Sequence, residues 1–464
     1  MASSRKSPSS ELAALVGRAL DRHVPPGARL TLALSGGVDS IVLLDVLAAI
    51  APRRSLAIDC LHVNHGMSPN AAAWARFARA AARGYGLPCT VRRADLAPHR
   101  ALGREGAARA ARYALFAQAR GDFVALAQHA DDQAETVLLQ LVRGAGVAGL
   151  AAMPEVRAQG GARAPQLLRP LLGVGRVEIE RYARDRALRW VEDESNRDTR
   201  LARNFVRHRV MPLLCELNPA AGMNLARSAS LLAEAHELVR TLGAADAAAV
   251  AKDGYLEVAA LGSLVPARAK NALRWAIAQA GLGVPDSARL EALLDQLVGA
   301  RPDASVRIEV GGGEVRRFRG TVRFLLQRAP VPPRFCAAWP GRMRWRLPEL
   351  GGEVVFKRSI GEGLAAAAIA AGTVEIRTRR GGERFRPDAR RPRRELKSLL
   401  QETSIPPWER ERLPLLFCGG RLAWVPGIGI DAGLRAGAGE RGLEPAWVPQ
   451  PASKRQRSAK PVIK

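Results

Sequence analysis

The sequence predicts an α/β fold. A doubly wound, largely parallel sheet comes first, followed by a small helical domain and a C-terminal α+β domain. Three observations point to this. Strand-like and helix-like runs alternate over the first 215 residues, as βαβ units require. Past Cys215 the chain becomes rich in Ala and Leu at helical spacing. From Thr373 short apolar runs separated by turn residues return.

Each element follows from its local pattern. Leu30–Leu34, Leu56–Val63, Cys89–Arg93 and Phe123–Ala127 read as strands. Ile41–Ile50, Asn70–Tyr85, Gly106–Arg120 and Asp131–Arg143 read as the helices between them. Asn224–Ala251, Ser263–Ala280 and Ser287–Gly299 are the expected helices of the second domain. Val306–Gln327 alternates like a hairpin turning on the glycines 311–313. The expected domains are 1–215, 216–330 and 371–449. Residues 331–370 form a Pro-, Gly- and Ala-rich connection with edge elements, and 450–464 a disordered basic tail. No internal repeat is found.

Composition narrows the function. Of 464 residues, 47% are hydrophobic, enough for real cores, but only 5% are aromatic, so aliphatic side chains must fill them. No apolar run nears the ~18 residues of a membrane helix, and MASSRKSPSS lacks the apolar core of a secretory signal. A cytoplasmic protein is expected. The five cysteines form no CxxC pair, which argues against zinc ribbons, iron–sulfur clusters and a disulfide framework. The net charge of +27 favours a polyanionic partner, nucleic acid first.

The sharpest stretch is Leu32–Leu47, LALSGGVDSIVLLDVL. A strand ends, two glycines permit tight turning, and a helix begins near Asp39. Backbone N–H groups at such a helix start bind anions. Gly36 and Gly37 let the chain approach a phosphate, Val38 opens the helix, and Ser35 and Ser40 add hydroxyl donors. Asp39 alone would repel phosphate, so its place there points to a bridging Mg²⁺. The plainer alternative is that Ser and Asp simply cap the helix. There is no GxxxxGK[ST], hence no Walker loop. SGGVDS resembles the pyrophosphate-binding loop (PP-loop) of the ATP pyrophosphatase superfamily, the adenine nucleotide alpha hydrolase-like fold. That implies ATP cleaved between its α and β phosphates and a substrate oxygen adenylated.

Further stretches narrow the resemblance: HVNHG (His62–Gly66), REGAARAARY (Arg104–Tyr113), AQHADDQAETVLLQLVRGAG (Ala127–Gly146), LLRPLL (Leu167–Leu172), and VEDESNRDTRLARNFVRHRVMP (Val191–Pro212). GGERFRP (Gly381–Pro387) and IPPWERERLPLLF (Ile405–Phe417) add to them. Together they resemble the tRNA(Ile)-lysidine synthetase family. Gly103 stands where that pattern has Asn or a similar polar residue.

The resemblance implies a ligase. ATP activates the C2 oxygen of the wobble cytidine in a CAU-anticodon isoleucine tRNA. The ε-amine of free L-lysine then displaces AMP to give lysidine, which pairs with A rather than G. Residues 1–215 would be catalytic, 216–330 substrate-specific and 371–449 tRNA-binding; a homodimer is compatible with it. Ser35, Gly36, Gly37, Val38, Asp39 and Ser40 would hold pyrophosphate, Asp39 through the metal. His62, Val63 and Asn64 would flank adenine. Arg112 is the first candidate for a phosphate or transition-state cation, Arg109 the second.

Lysine makes its own demand. With a reference pKa of about 10.4, the neutral amine at pH 7 costs roughly 4–5 kcal/mol. A carboxylate must orient the ammonium and accept a proton. His129, Asp131, Asp132 and Glu135 supply candidates at a strand-to-helix junction, with Asp131 expected to cap that helix. Arg143 is placed for phosphate or tRNA contact, or for the helix C-terminus. Asn196, Arg203, Asn204 and Arg207 form a network that either closes the site, touches tRNA or bridges domains. Between Arg377 and Lys397 ten cations face three acids. There Arg390, Arg391, Arg393 and Arg394 are candidate tRNA contacts, the alternative being a solvated face. Phe385 and Trp408 are candidates for base stacking, or for core packing. Two other functions remain open: a tRNA thiolase of the same superfamily, against which the lack of paired cysteines argues, and a non-catalytic RNA-binding protein.

Overall fold

The computed structural model describes residues 8–160, 163–194, 198–301, 304–403 and 405–449. The basic tail and Asn196 lie outside them. The chain divides into two compact units at Leu238/Val239, within one long helix.

The first unit begins with α1 (Pro8–His23), β1 (Arg29–Ala33), α2 (Val38–Ile50), β2 (Ala57–Asn64), α3 (Ala71–Gly84) and β3 (Cys89–Arg93). It continues with α4 (Gly103–Phe116), β4 (Phe123–Ala125), α5 (Ala130–Val142), α6 (Val147–Leu150), β5 (Val156–Arg157), β6 (Gln166–Leu168) and α7 (Arg176–Asp185). Short helices α8 (Ala202–Phe205) and α9 (Met211–Leu217) lead to α10 (Ala221–Ala249). The strand order is β3-β2-β1-β4-β6-β5, parallel except for β5. Strands alternate their side chains between two cores. Leu30, Leu32, Phe123, Ala125 and Leu168 join a core with residues of α1, α2, α3 and α7. Ala33, Val124 and Leu167 join a second core with Tyr113 and Phe116 of α4. The sheet is thus covered on both faces, as its apolar strands require. α2 is apolar almost all round and correspondingly buried. Chain order reverses between β1 and β4, so a crevice opens beyond their carboxyl ends.

A buried node fixes α2. The Asp45 carboxylate accepts hydrogen bonds from the hydroxyls of Tyr85 (2.8 Å) and Tyr182 (2.6 Å) and from Arg186 (3.2 Å). Burial opposes the charge, but these donors hold its pKa below the usual value.

The second unit starts with the hairpin β7 (Ala251–Lys252) and β8 (Tyr255–Leu256), then α11 (Val258–Ser263), α12 (Pro266–Gln279) and α13 (Ser287–Gly299). The helix expected over 263–280 is α12, which starts three residues later because Pro266 opens it, and the short α11 precedes it. The expected hairpin is three strands: β9 (Arg307–Val310), β10 (Gly313–Phe318) and β11 (Thr321–Leu326). Its second turn, Arg319-Gly320, has positive φ at both residues (46° and 73°), a geometry that the sequence Arg-Gly does not advertise.

The remaining residues form two larger sheets and a two-stranded one. Their strands are β12 (Cys336–Ala338), β13 (Arg344–Leu347), β14 (Gly352–Ile360), β15 (Leu364–Ala365), β16 (Val374–Arg377), β17 (Arg384–Phe385), β18 (Arg394–Glu395), β19 (Leu415–Cys418), β20 (Arg421–Val425), β21 (Gly429–Ile430) and β22 (Arg441–Pro449). Short helices α14 (Ala366–Ala370), α15 (Leu396–Glu402) and α16 (Pro407–Arg410) lie between them. One sheet runs β12-β16-β19-β20-β21, the other β13-β14-β22-β15, and β17 pairs with β18. β14, inside 331–370, is an interior strand rather than an edge, paired with β22 along nine residues. Among the described residues no helix is long and apolar enough to cross a membrane.

Candidate active site

The SGGVDS loop joins β1 to α2 at the crevice. Gly36 has φ +96°, and a Cβ there would lie 3.0 Å from Val191 Cγ2, so glycine is required. The Ser40 hydroxyl closes the turn. It accepts from the Gly36 N–H (3.1 Å), donates to the Gly37 carbonyl (2.9 Å) and lies 3.1 Å from Ser35 Oγ. Ser35 Oγ also accepts from the Gly37 N–H at 3.3 Å. The helix cap is Gly37, with no side-chain cap bond, so the plain capping role for Ser and Asp is not used. The first N–H groups of α2, at Val38 and beyond, therefore have no partner within the helix.

Asp39, in that first turn, keeps 30% of its side chain exposed, but its Oδ1 is buried without a hydrogen-bond partner. Burial raises its pKa; nearby Asp132 adds to this, and His129 opposes it. His129, 1% exposed, stands past the end of β4, at the start of α5. Its Nε2 lies 3.7 Å from Asp39 Oδ1 and 3.6 Å from Asp132 Oδ2, and its Nδ1 3.4 Å from Asp131 Oδ2. Burial works against its charged form, yet Asp131, Asp132 and Asp39 together raise its pKa. Among the described residues no group of three or more His, Cys, Asp or Glu is arranged to hold a metal by itself.

The helix-capping expectation for Asp131 is overturned. The N-cap of α5 is His129, whose backbone N–H donates to Asp132 Oδ2 (3.1 Å). Asp131 Oδ2 instead accepts from the Arg176 N–H at 2.9 Å and so caps α7. That N–H and His129 outweigh burial and lower the Asp131 pKa.

Glu135 is buried between two arginines. Arg203 Nε donates to one oxygen at 2.7 Å and Arg207 Nε to the other at 2.5 Å. Both guanidinium groups also reach Asp132 Oδ1, at 3.3 and 3.2 Å. A π-helical turn over Val206–Val210 follows Arg203. Of the tRNA candidates, then, Arg203 and Arg207 are held inside the carboxylate cluster. Asn204 donates to the Asp198 carbonyl (3.0 Å), holding the chain before α8.

His62 is buried, with Nδ1 2.9 Å from the Leu34 carbonyl, which ties the end of β2 to the loop. Val63 and Asn64 end that strand, and Asn64 Oδ1 accepts from Gly66 N–H (2.8 Å). His65, not singled out from the sequence, receives the Arg112 Nε–H on its Nε2 at 3.2 Å. Burial, then Arg112, pushes its pKa down to about 4. Arg109 and Arg143 are exposed; Arg109 stands over Tyr113 and Arg143 ends α5. Gly103 has φ +73° and ψ 174°, an extended conformation of positive φ that is essentially open to glycine alone.

In the second unit Arg390 and Arg391 are exposed, while Arg393 bonds the fully buried Asp431 (3.1 Å) and Arg394 pairs with Glu402. Phe385 is fully buried, and Trp408 packs edge-on against Phe318 with Arg316 over its ring. Both aromatic rings therefore belong to packing. Burial holds the thiols of Cys60 and Cys418 up at about 12 and about 11, far from thiolate reactivity.

Comparison with known proteins agrees with this geometry. Residues 9–214 match the PP-loop domain, 256–323 the TilS substrate binding domain and 374–447 the TilS substrate C-terminal domain. The chain is 43% identical over 430 residues to the tRNA(Ile)-lysidine synthase of Nitrosomonas europaea, covering 93% of this chain and 94% of that one. It is 41% identical over 432 residues to the enzyme of that name from an Azoarcus species, with 93% and 94% covered. For that of Methylococcus capsulatus the identity is 39% over 432 residues, with 91% and 97% covered. Built around a PP-loop at the switch point of a parallel sheet and matched along nearly its whole length, the chain belongs to the tRNA(Ile)-lysidine synthase family.

Proposed function

We propose that the chain forms lysidine on CAU-anticodon isoleucine tRNA, using ATP and free L-lysine. One observation carries the reading. His129 Nε2 lies 3.7 Å from Asp39 Oδ1, joining the phosphate loop to the Asp131–Asp132 cluster. An adenylating loop and groups suited to an incoming amine thus share one crevice.

The cytidine C2 oxygen attacks the α-phosphorus of ATP and pyrophosphate leaves. The lysine ε-amine then attacks C2, and AMP departs with that oxygen. Ser35, the glycine backbone, Ser40 and the α2 N-terminus cradle the pyrophosphate. The orphaned Asp39 Oδ1 fits Mg²⁺, which typically takes one or two carboxylates plus substrate phosphates. When bound there the ion neutralises phosphate charge. Asp131 and Asp132 receive the lysine ammonium and its proton; Glu135 positions Arg203 and Arg207 beside them. Arg112 serves as the phosphate cation, its side chain set by His65. The backbone at His62–Asn64 flanks adenine.

Incubation with the tRNA, Mg·ATP and isotopically labelled lysine, followed by nucleoside mass spectrometry, tests this. A labelled adduct on the wobble cytidine is expected. Pyrophosphate release without it would remove lysine as nucleophile, and neither signal from folded protein would overturn the reading. The thiolase alternative lacks a suitable thiol pair: Cys60 and Cys89 adjoin across β2 and β3, but burial raises both pKa values.

A further inference from the structure

A second cationic cluster lies on the same unit, outside the groups already described. Arg169, from LLRPLL, is 1% exposed. Its Nε donates to Gln128 Oε1 (2.5 Å) and its Nη1 to the Pro154 carbonyl (2.7 Å). Its remaining side faces Tyr113. An arginine stays charged even when buried, yet no carboxylate among the described residues pairs with this one. The Tyr113 ring also carries Arg109 at 5.1 Å and Arg157 at 5.2 Å from its centroid. Both are exposed and likewise lack an acidic partner among the described residues. Glu155, two residues before Arg157, is taken by Arg22 (2.7 Å) and His23 (2.9 Å).

Three guanidinium groups around one phenol repel one another, and no acid among the described residues pairs with them. Such an arrangement is complementary to an anion that is not part of the protein. Arg109 Nη2 lies 3.5 Å from the Tyr113 hydroxyl, so cations occupy its acceptor side and leave its proton to donate. The place is informative too. Gln128, held by Arg169, directly precedes His129. An anion over Arg109, Tyr113 and Arg157 therefore sits near the reacting crevice, on elements other than the PP-loop.

We propose that Arg109, Tyr113 and Arg157, braced from below by Arg169, form a phosphodiester-binding site for the RNA strand next to the modified nucleotide. This rests on the tRNA reading above. Planar guanidinium forks suit phosphate oxygens, and an aromatic–arginine surface suits a single-stranded loop.

The test is tRNA affinity measured across a salt series for Arg157→Gln, Arg157→Lys and Tyr113→Phe, with melting and Mg·ATP affinity measured alongside. Leaving one phosphate without its cation lowers the slope of log K against log salt by roughly 0.7–0.9. Arg157→Gln is expected to show that change with native melting and ATP affinity, and Arg157→Lys to restore the slope. Tyr113→Phe should weaken binding several-fold with the slope unchanged. An Arg157→Gln slope equal to wild type, from a protein that melts normally, overturns the site. Weaker competition by inorganic phosphate against ATP, with the RNA slope intact, also overturns it, since the anion is then free phosphate. If wild type makes no lysine adduct but the slope still shifts, the site stands and the functional reading fails.

Discussion

Arg203 and Arg207 in the first unit and the run Arg377–Lys397 in the second both present dense positive charge, and they use it differently. In the first unit both guanidinium groups turn inward onto Glu135 and Asp132, about three-quarters buried, and order the site. In the second the run divides. Arg377, Arg393 and Arg394 neutralise Glu375, Asp431 and Glu402, while Arg390 and Arg391 stay exposed, Arg391 only loosely paired with the exposed Asp388 at 3.7 Å. Net charge therefore overstates the surface available to RNA. What matters is which cations lack an acid within the fold.

The largest effect sharpens the role of the first region. Asp39→Ala is expected to lower tRNA-dependent pyrophosphate release by about 10³-fold or more, as loss of charge stabilisation at a transferring phosphate does. Near-normal turnover would remove Asp39 from phosphate chemistry. Next, Glu135→Ala leaves two partly buried guanidinium groups with Asp132 alone and should cost about 3–5 kcal/mol in denaturant unfolding. A loss under about 1 kcal/mol would place those arginines at the surface, like their C-terminal counterparts.

The C-terminal run is separated by paired variants. Arg393→Gln should cost about 1.5–3 kcal/mol, because Asp431 loses a charged donor while its other bonds come from the Arg386 (3.2 Å) and Gly433 (3.1 Å) N–H groups. Arg390→Gln with Arg391→Gln should change stability by no more than about 0.5 kcal/mol. It should instead reduce the salt slope of tRNA binding by about 0.9 for each phosphate left unneutralised. An unchanged slope would return both to a solvated face.

The smallest effect is a pH dependence. His129 has a raised pKa in the folded state, so its contribution is fully present below its unfolded value near 6.5 and is lost as pH rises through the folded one. The stability gap between wild type and His129→Gln should therefore narrow as pH rises across that window in thermal melts. A gap independent of pH would mean that His129 stays neutral.

The catalytic strands and helices were legible because their signals are local. The expected Cys89–Arg93 strand is β3, and the strand–loop–helix at SGGVDS needs only its own glycines and apolar flanks. The third strand at Thr321–Leu326 was not legible, since Arg319-Gly320 carries no ordinary hairpin signal. Nor was β14, whose flanking glycines and prolines suggested a connection. Arg169 was visible only as one cation inside an apolar run.

By itself, then, the sequence determined the α/β class, the phosphate loop and the residue types of the site, because periodicity and turn chemistry act over a few neighbouring residues. Tertiary structure alone decided which carboxylate meets which cation. Asp131 caps a helix 45 residues away, and Glu135 receives arginines 68 and 72 residues away. Such pairings depend on strand order and on which face each helix presents, and local spacing encodes neither.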